Sequence, residues 1–286
     1  MKAFMKARPR TVPGLRRLAL ALGVALAGAC TPASAHDTWF ERLSAAGAHG
    51  QPLLALGTGN QYPGHETGVG AEYLQQQGCH GVSAPASGAV GGSTVLVPVR
   101  NAKAALWLRA PAAAPGCWAQ LTPFEIDLPD DKVALYLDEL NASASLRATW
   151  AAMQARGLRW QERYTKHARI ELSPGGAETP LPMGMDALLH RREGQFVFTV
   201  LRDGQPVPGL AVELRAAAPA SSSWHRTDDQ GQIRVPKPAA GRWLLRAIDL
   251  RPSSAQPGRW DSRFLTLAFE GGAGRAALAA AQPLQR

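Results

Sequence analysis

The sequence lacks an apolar run long enough to cross a membrane as a helix. Its longest such run, Leu18 to Ala29, covers about a dozen residues, whereas a spanning helix needs roughly twenty. Residues 1–35 also lack acidic side chains, and they carry six Lys or Arg, this apolar run and then Ala33-Ser34-Ala35. Basic, apolar and small segments in this order are typical of a secretory signal. We therefore expect a signal peptide over residues 1–35 and no membrane span after its removal.

Cleavage after Ala35 would make His36 the N-terminal residue of a periplasmic protein. A second start is also compatible with the sequence, because Ala27-Gly28-Ala29-Cys30 resembles the approach to a lipidated cysteine. In that alternative the protein is a lipoprotein anchored through Cys30, although Leu26 lies one place earlier than usual. The start site decides whether His36 carries a free α-amine.

An excess of basic charge is also missing once the signal is set aside. The formal net charge of +9 includes the six cations of residues 1–35, so the remaining 251 residues hold 25 basic and 22 acidic side chains. A formal charge of +3 is no basis for nucleic acid binding. We expect no nucleic acid partner.

Cysteine is scarce, with three residues in the chain. Cys30 belongs to the signal region, which leaves Cys79 and Cys117 for the exported protein. An even pair in an oxidising compartment predicts a disulfide, worth about 3–4 kcal/mol in the chain-entropy model. The alternative is two buried free thiols.

Common enzyme signatures are absent from the sequence. It has no Gly-x-Ser-x-Gly elbow, no His-Glu-x-x-His and no phosphate-binding glycine loop. The acidic pairs Asp130-Asp131, Asp138-Glu139 and Asp228-Asp229 are explained by helix capping, a solvated helix face and a turn. We therefore do not expect an enzyme of these classes.

Short β-type runs bounded by Gly, Pro, Asn and Asp dominate the sequence and predict a mainly β protein. We expect two Ig-like or prealbumin-like β-sandwich domains, since turn signals such as Asp203-Gly204 and Asp229-Gln230-Gly231 mark hairpins. The expected organisation is an N-terminal sandwich over 36–173, a linker over 174–194, a C-terminal sandwich over 195–272 and a tail over 273–286.

A helical insertion is expected between the two sandwiches, at about residues 131–157. Val133, Tyr136, Leu137 and Leu140 recur at the spacing of one helix face. A second helical piece ends at Gly157, because glycine favours the residue just past a helix C-terminus.

Several segments, taken in order, resemble one bacterial family. They are His36-Asp37-Thr38-Trp39-Phe40, Val133 to Leu140, Glu162 to Lys166, Phe198 to Gly209, and Thr227 to Gly231 followed by Gly241-Arg242-Trp243. Together they resemble the periplasmic family of unknown function associated with nickel and cobalt uptake, the NikK-like proteins. The resemblance implies a β-rich periplasmic protein that serves metal import, with a membrane metal-uptake transporter as its partner. Some members carry two closely spaced histidines at the mature start, where this chain has Asp37 and Thr38 after His36.

The chemistry of an N-terminal histidine supports a metal site without reference to a family. A free α-amine has a pKa near 8, so a metal ion displaces its proton at little cost at neutral pH. The α-amine and Nδ1 of His36 can close a chelate ring on one ion. Nitrogen donors suit Ni(II), Co(II) or Cu(II) better than Ca²⁺ or Mg²⁺. A transition metal ion is therefore the expected cofactor.

One residue supplies only two ligands, so further ligands must come from elsewhere in the chain. His65 and Glu66 are the first candidates, because they lie in a loop beside Gly64. Asp37 could bind the metal or orient the imidazole.

His167 is a further candidate ligand, expected on the exposed, polar face of a strand. Trp39 and Phe40 are expected to anchor the chain terminus and so to hold His36 in place.

Three functions follow from these observations. The first is a periplasmic metal-handling protein that binds Ni, Co or possibly Cu for uptake or homeostasis. The second is an envelope adaptor of tandem Ig-like domains that binds no metal. The third is a copper enzyme of the histidine-brace type, which needs a second histidine at the metal.

Overall fold

The structure, a computed structural model, describes residues 36–43, 51–80 and 96–272. The expected signal over 1–35, with the alternative start at Cys30, and the expected tail over 273–286 lie outside the described residues.

Short strands make up the first part of the described chain. They are β1 (Asp37–Arg42), β2 (Leu53–Gly59), β3 (Thr67–Gly68), β4 (Leu74–Cys79), β5 (Val97–Asn101), β6 (Leu106–Arg109), β7 (Gly116–Leu121) and β8 (Phe124–Leu128). A single 3₁₀ turn, Ala71–Tyr73, precedes β4.

Two helices follow, α1 (Asp130–Glu139) and α2 (Ala144–Ala155). The apolar face of α1 is buried, as its spacing predicts. The side chain of Ser143 caps α2 by accepting a hydrogen bond of 3.2 Å from the backbone N–H of Leu146. Gly157, with a φ of 74°, provides the left-handed conformation just after α2. The predicted helical insertion at about 131–157 is confirmed.

Longer strands form the remainder of the described chain. They are β9 (Trp160–Glu171), β10 (Met185–Arg192), β11 (Gln195–Arg202), β12 (Gln205–Pro206), β13 (Ala211–Ala217), β14 (Ala220–Arg226), β15 (Gln232–Pro236), β16 (Gly241–Pro252) and β17 (Arg259–Gly271).

Within the described ranges, these strands form three sheets. Sheet A has the order β1-β2-β6-β5, with β3 also paired to β2. Sheet B has the order β14-β13-β16-β17-β9-β7-β4, with β8 also paired to β9. Sheet C has the order β10-β11-β12, with β15 also paired to β11.

Sheets A and C cover opposite faces of sheet B, because successive residues of a strand point to opposite faces. In β17, Leu265 and Leu267 join the core shared with sheet C, whereas Ala268 joins the core shared with sheet A. In β9, Ala168 and Ile170 also belong to the core shared with sheet A. The middle of sheet B is therefore buried on both faces, which explains the nearly continuous apolar run of β17.

The mainly β architecture with sandwich packing confirms the predicted fold class, and the Ig-like or prealbumin-like character of its parts stays a prediction. Strands from both expected domains share sheet B, where β17 runs parallel to β9. The expected linker over 174–194 includes β10. Turn signals mark where strands end, but they do not show which strands pair across the chain.

The disulfide between Cys79 and Cys117 is present and joins the neighbouring strands β4 and β7. This confirms the pairing expected from cysteine number. Among the helices of the described ranges, none has the length and apolar character needed to cross a membrane.

Candidate functional site

Strand β1 is anchored directly after His36. Trp39 and Phe40 are fully buried in the core between sheets A and B, which confirms their expected anchoring role. From sheet B, Oγ1 of Thr266 donates a hydrogen bond of 2.6 Å to the carbonyl oxygen of Thr38. These contacts hold the start of β1 against the central sheet.

His36 lies at the open end of this anchored strand. Its carbonyl oxygen accepts a hydrogen bond of 2.7 Å from Nζ of Lys166, which reaches it from β9. Burial lowers the pKa of Lys166 to about 8, against the opposing effect of the Asp37 charge. The side chain of His36 is 42 % exposed. The backbone of His36 is thus held, while its imidazole remains accessible to a ligand.

Glu66 is the side chain that faces the imidazole of His36. Nε2 of His36 lies 3.4 Å from Oε2 of Glu66. Asn60 fixes this carboxylate by donating from its backbone N–H to Oε1 at 3.1 Å and from Nδ2 to Oε2 at 3.2 Å. Of the two neutral tautomers of His36, this carboxylate favours the one with hydrogen on Nε2 and a lone pair on Nδ1.

His65 is turned toward Trp39 rather than held beside Glu66. Its Nε2 donates a hydrogen bond of 3.1 Å to the carbonyl oxygen of Trp39, and the two ring centroids are 5.2 Å apart. Burial lowers the pKa of His65, although the bond to this carbonyl opposes the shift. A Cβ atom on Gly57 would lie 2.5 Å from Cγ of His65, so only glycine permits this close packing. In this arrangement His65 packs and orients β1.

The carboxylate of Asp37 is engaged by two arginines. Oδ2 of Asp37 lies 2.6 Å from Nε of Arg246 and 3.3 Å from Nη1 of Arg215. Glu213 completes the group, with Oε2 at 2.8 Å from Nη2 of Arg215 and 3.4 Å from Nη1 of Arg246. We call these four residues the ion-pair cluster. The Nε–H of Arg246 is not aligned with Asp37 as a hydrogen bond, so that contact is an ion pair alone.

His167 is buried, which corrects the expectation that it lies on an exposed face of its strand. It is 1 % exposed, and its Nδ1 donates a hydrogen bond of 3.1 Å to the carbonyl oxygen of Phe264. His167 is buried because sheet C covers the face of β9 that carries it. Lys166, the preceding residue, points to the opposite face and contacts His36. His167 and His36 therefore lie on different sides of sheet B.

The buried imidazole of His167 predicts a loss of stability in weak acid. Its pKa falls from 6.5 to about 4, mainly because the ring is buried. The Phe264 carbonyl and Asp203 oppose this shift, whereas the charges of Arg263 and Arg202 contribute to it. Below pH 6.5 the unfolded chain binds a proton that the folded chain excludes, so the free energy of unfolding falls as the pH drops from 6.5 toward 4. The full contribution is about 3 kcal/mol.

Chemical denaturation between about pH 4 and pH 8 measures this effect. His167→Asn keeps a donor for the Phe264 carbonyl and is expected to flatten the slope in that window. An unchanged slope in His167→Asn would contradict the assignment.

The structure thus brings together two of the sequence-predicted site residues, His36 and Glu66. Within the described ranges, no group of three or more His, Cys, Asp or Glu side chains is arranged to hold a metal ion. No family model matches this chain. No curated protein and no solved structure is detectably similar to it either. The resemblance to NikK-like proteins therefore depends on the sequence motifs alone.

Three residues that shape this region were not singled out from the sequence. Lys166, Asn60 and Arg246 hold the His36 carbonyl, the Glu66 carboxylate and the Asp37 carboxylate, respectively. Arg246 carried a usable signal, because it interrupts the apolar run of β16 and a buried arginine requires a charged partner. The sequence did not show which carboxylate that partner is.

Proposed function

We propose that the exported chain, starting at His36, is a periplasmic metal-handling protein that binds Ni(II), Co(II) or Cu(II) through its N-terminal residue. The ion then passes to a membrane uptake transporter. The observation that carries this proposal is the pairing of His36 Nε2 with the fixed carboxylate of Glu66.

This pairing leaves the metal-binding atoms of His36 available. A proton on Nε2 frees the lone pair of Nδ1, the ring nitrogen that can close a chelate with the α-amine. Carboxylates that accept from the far nitrogen of a metal-binding histidine commonly fix its tautomer and orientation. Glu66 would therefore orient the imidazole, and it lies close enough to supply an oxygen ligand after a side-chain rotation.

The held backbone supports binding by lowering its entropic cost. A free chain terminus loses conformational entropy when it orders around an ion, at about 1–2 kcal/mol for each backbone residue. Here Lys166 holds the carbonyl of His36, and Trp39 anchors the strand three residues later. Most of that ordering precedes metal binding.

The accessibility of the imidazole supports transfer rather than storage. His36 and Glu66 are both close to half exposed, and the chelate fills only two positions on the ion. The remaining positions face solvent, where a second protein could supply ligands.

Asp37 and His167 lack such support as metal ligands, because Asp37 pairs with arginines and His167 lies on the other side of sheet B.

Calorimetry on protein that begins at His36 tests the proposal. We expect at least one of Ni(II), Co(II) and Cu(II) to bind with a Kd below about 10 µM, equivalent to roughly 7 kcal/mol. Glu66→Gln should weaken binding about 10- to 100-fold, because the orienting charge is lost.

The decisive control is the same protein with one alanine added ahead of His36. It keeps the imidazole and Glu66 but converts the α-amine into an amide, so it should lose most of the affinity. Equal binding by this extended protein, or no ion bound below about 10 µM, would refute the proposal. The intact mass of the exported protein independently separates a start at His36 from lipidation at Cys30.

An adaptor function is the second candidate, and the edge of sheet A favours it, because β5 pairs with β6 alone among the strands of the described ranges. All five residues of β5 are exposed, including Val97 and Val99. An open strand edge can accept a strand from another protein. This alternative predicts a protein partner that survives chelation and a His36→Ala variant that binds it normally.

A histidine-brace enzyme is not favoured by the described histidines. It requires a second imidazole at the ion, but His65 donates its Nε2 to the Trp39 carbonyl and His167 lies on the other side of sheet B. Peroxide formation with copper and a reductant would be the test for this third candidate.

A further inference from the structure

A cavity of about 300 Å³ opens where β1 begins. Its floor follows from strand register, because Trp224, Glu213 and Arg246 are direct neighbours across β14, β13 and β16. The next residue in this row is Thr266 on β17, which lies under β1 and bonds to it. Since β1 starts at Asp37, no strand of the described residues covers the row beyond that point. The start of β1 thus borders the cavity.

The charged side chains on the floor of the cavity balance one another. It consists of the ion-pair cluster, in which two carboxylates face two guanidinium groups. Ion pairing with Asp37 raises the pKa of Arg246 despite the opposing effect of burial. The floor therefore offers fixed polar groups without a net charge.

The rim of the cavity is negative. Helix α1 ends here, and the C-terminal end of a helix carries a partial negative charge. The carbonyl oxygen of Glu139 accepts a hydrogen bond of 3.0 Å from Arg246, and the side chains of Asp138 and Glu139 border the opening. Arg147 pairs with Asp138 at 2.8 Å from outside the cavity lining. The lining as a whole holds more acidic than basic side chains.

Trp224 supplies an aromatic wall to this rim. It is 38 % exposed on β14, an edge strand whose other residues are mostly small and polar. The guanidinium of Arg246 lies 5.9 Å from the centre of its ring. An accessible indole beside negative charge is an arrangement that attracts cations, because the face of the ring is itself electron-rich.

From this geometry we infer that the cavity binds a small organic cation, with an ammonium or guanidinium group on a short aliphatic chain. The cationic group lies against Trp224 and the end of α1, and the chain lies over the ion-pair cluster. The volume is at the lower end of the range for small-molecule sites, which restricts the ligand to a compact one. The cavity borders the His36 region through Asp37 and Asn60, but cation binding there uses neither the imidazole nor a metal ion. The inference therefore stands whether or not the metal proposal holds.

Calorimetry with agmatine and putrescine as probes tests the inference, with succinate as the anionic comparison. The protein carries His36→Ala to remove the N-terminal imidazole, and salt is kept near 0.15 M to screen weak surface attraction. Agmatine or putrescine is expected to bind and succinate is not. Trp224→Ala should weaken cation binding by roughly threefold to thirtyfold, because the ring face is lost.

Two substitutions on α1 provide a matched comparison. Asp138→Asn removes a charge at the cavity rim, whereas Asp131→Asn removes one at the other end of the helix. Both side chains are largely exposed and each lies beside a cation. Weaker binding in Asp138→Asn alone supports the site. Equal effects of the two substitutions on cation binding would overturn it. So would unchanged cation affinity in Trp224→Ala, equal affinity for succinate, or no binding of either cation.

Discussion

Replacing Arg169 with alanine is expected to lower the free energy of unfolding by about 3–5 kcal/mol. Arg169 is completely buried on the face of β9 that sheet C covers. Its Nη1 donates to both carboxylate oxygens of Asp186 at 2.9 Å. Its Nη2 donates to the carbonyl oxygens of Thr179 and Gly176 at 2.9 and 3.2 Å. Truncation removes a donor from the buried Asp186 carboxylate and the buried Gly176 carbonyl, and it also removes one from the Thr179 carbonyl.

The location of these acceptors predicts where the damage is concentrated. Gly176, Thr179 and Asp186 all lie in or just before β10, so one side chain ties the 174–187 segment to sheet B. Hydrogen exchange in Arg169→Ala should therefore increase in β10 before it increases in β16 or β17. Nε2 of His80, 3.1 Å from Arg169 Nη2, loses a donor in the same variant.

The loss of stability in Arg169→Ala should depend on pH, because the buried carboxylate of Asp186 loses the cation that pairs with it. Burial raises the pKa of Asp186, and Arg169 is the main group that opposes this shift. Without Arg169 the pKa of Asp186 in the folded state rises further above that in the unfolded chain, so the folded variant favours protonated Asp186. The variant therefore regains stability as the pH falls, and its deficit against the wild type shrinks toward about pH 4.

Two further variants test the Arg169 prediction. Arg251→Ala removes an exposed member of the Asp249 pair and should cost at most about 1 kcal/mol. The double variant Arg169→Met with Asp186→Leu should recover part of the loss, because it removes both buried charges. A loss below about 1 kcal/mol in Arg169→Ala would contradict a structural role for this contact.

The second large effect is expected for Trp39→Ala, at about 3–5 kcal/mol of unfolding free energy. Trp39 is fully buried, packs edge-on against Tyr62 at 5.9 Å and donates from Nε1 to the Pro63 carbonyl at 3.4 Å. Its loss leaves a cavity between sheets A and B. It also frees His65, whose ring packs on the indole.

Trp39→Ala should also weaken metal binding, because the anchored start of β1 is what pre-orders His36. Phe198→Ala is the matched control: Phe198 is equally buried, but it lies in the core between sheets B and C. We expect the two variants to lose similar stability, while only Trp39→Ala loses metal affinity. Thermal unfolding measures the loss of stability, and titration calorimetry on folded protein at low temperature measures the metal affinity separately. If both variants lost metal affinity equally, pre-ordering by Trp39 would be refuted; if neither lost it, anchoring would be irrelevant to the site.

The local part of the His36 site could be anticipated from sequence. His36, Trp39 and Phe40 are consecutive or nearly so, and the apolar pair indicated an anchored terminus. Glu66 was also anticipated, because it lies in a loop beside Gly64, and the structure adds that this loop follows the strand that pairs with β1. The orientation of His65 could not be anticipated from sequence, because it depends on the space above Gly57 and on the hydrogen bond to the Trp39 carbonyl.

The sequence by itself determined the mainly β class, the two helices, the cysteine pair and the buried start of β1, because each depends on local spacing or on residue count. It did not predict β10, which lies in the expected linker. Only the tertiary structure decided that both faces of β9 are buried from His167 to Glu171, since alternation along a strand distinguishes two faces without showing what covers either. It also decided the partners of the buried charges. Asp37 meets Arg215 across 178 residues of sequence, and the pairing follows from sheet register, which local patterns do not encode.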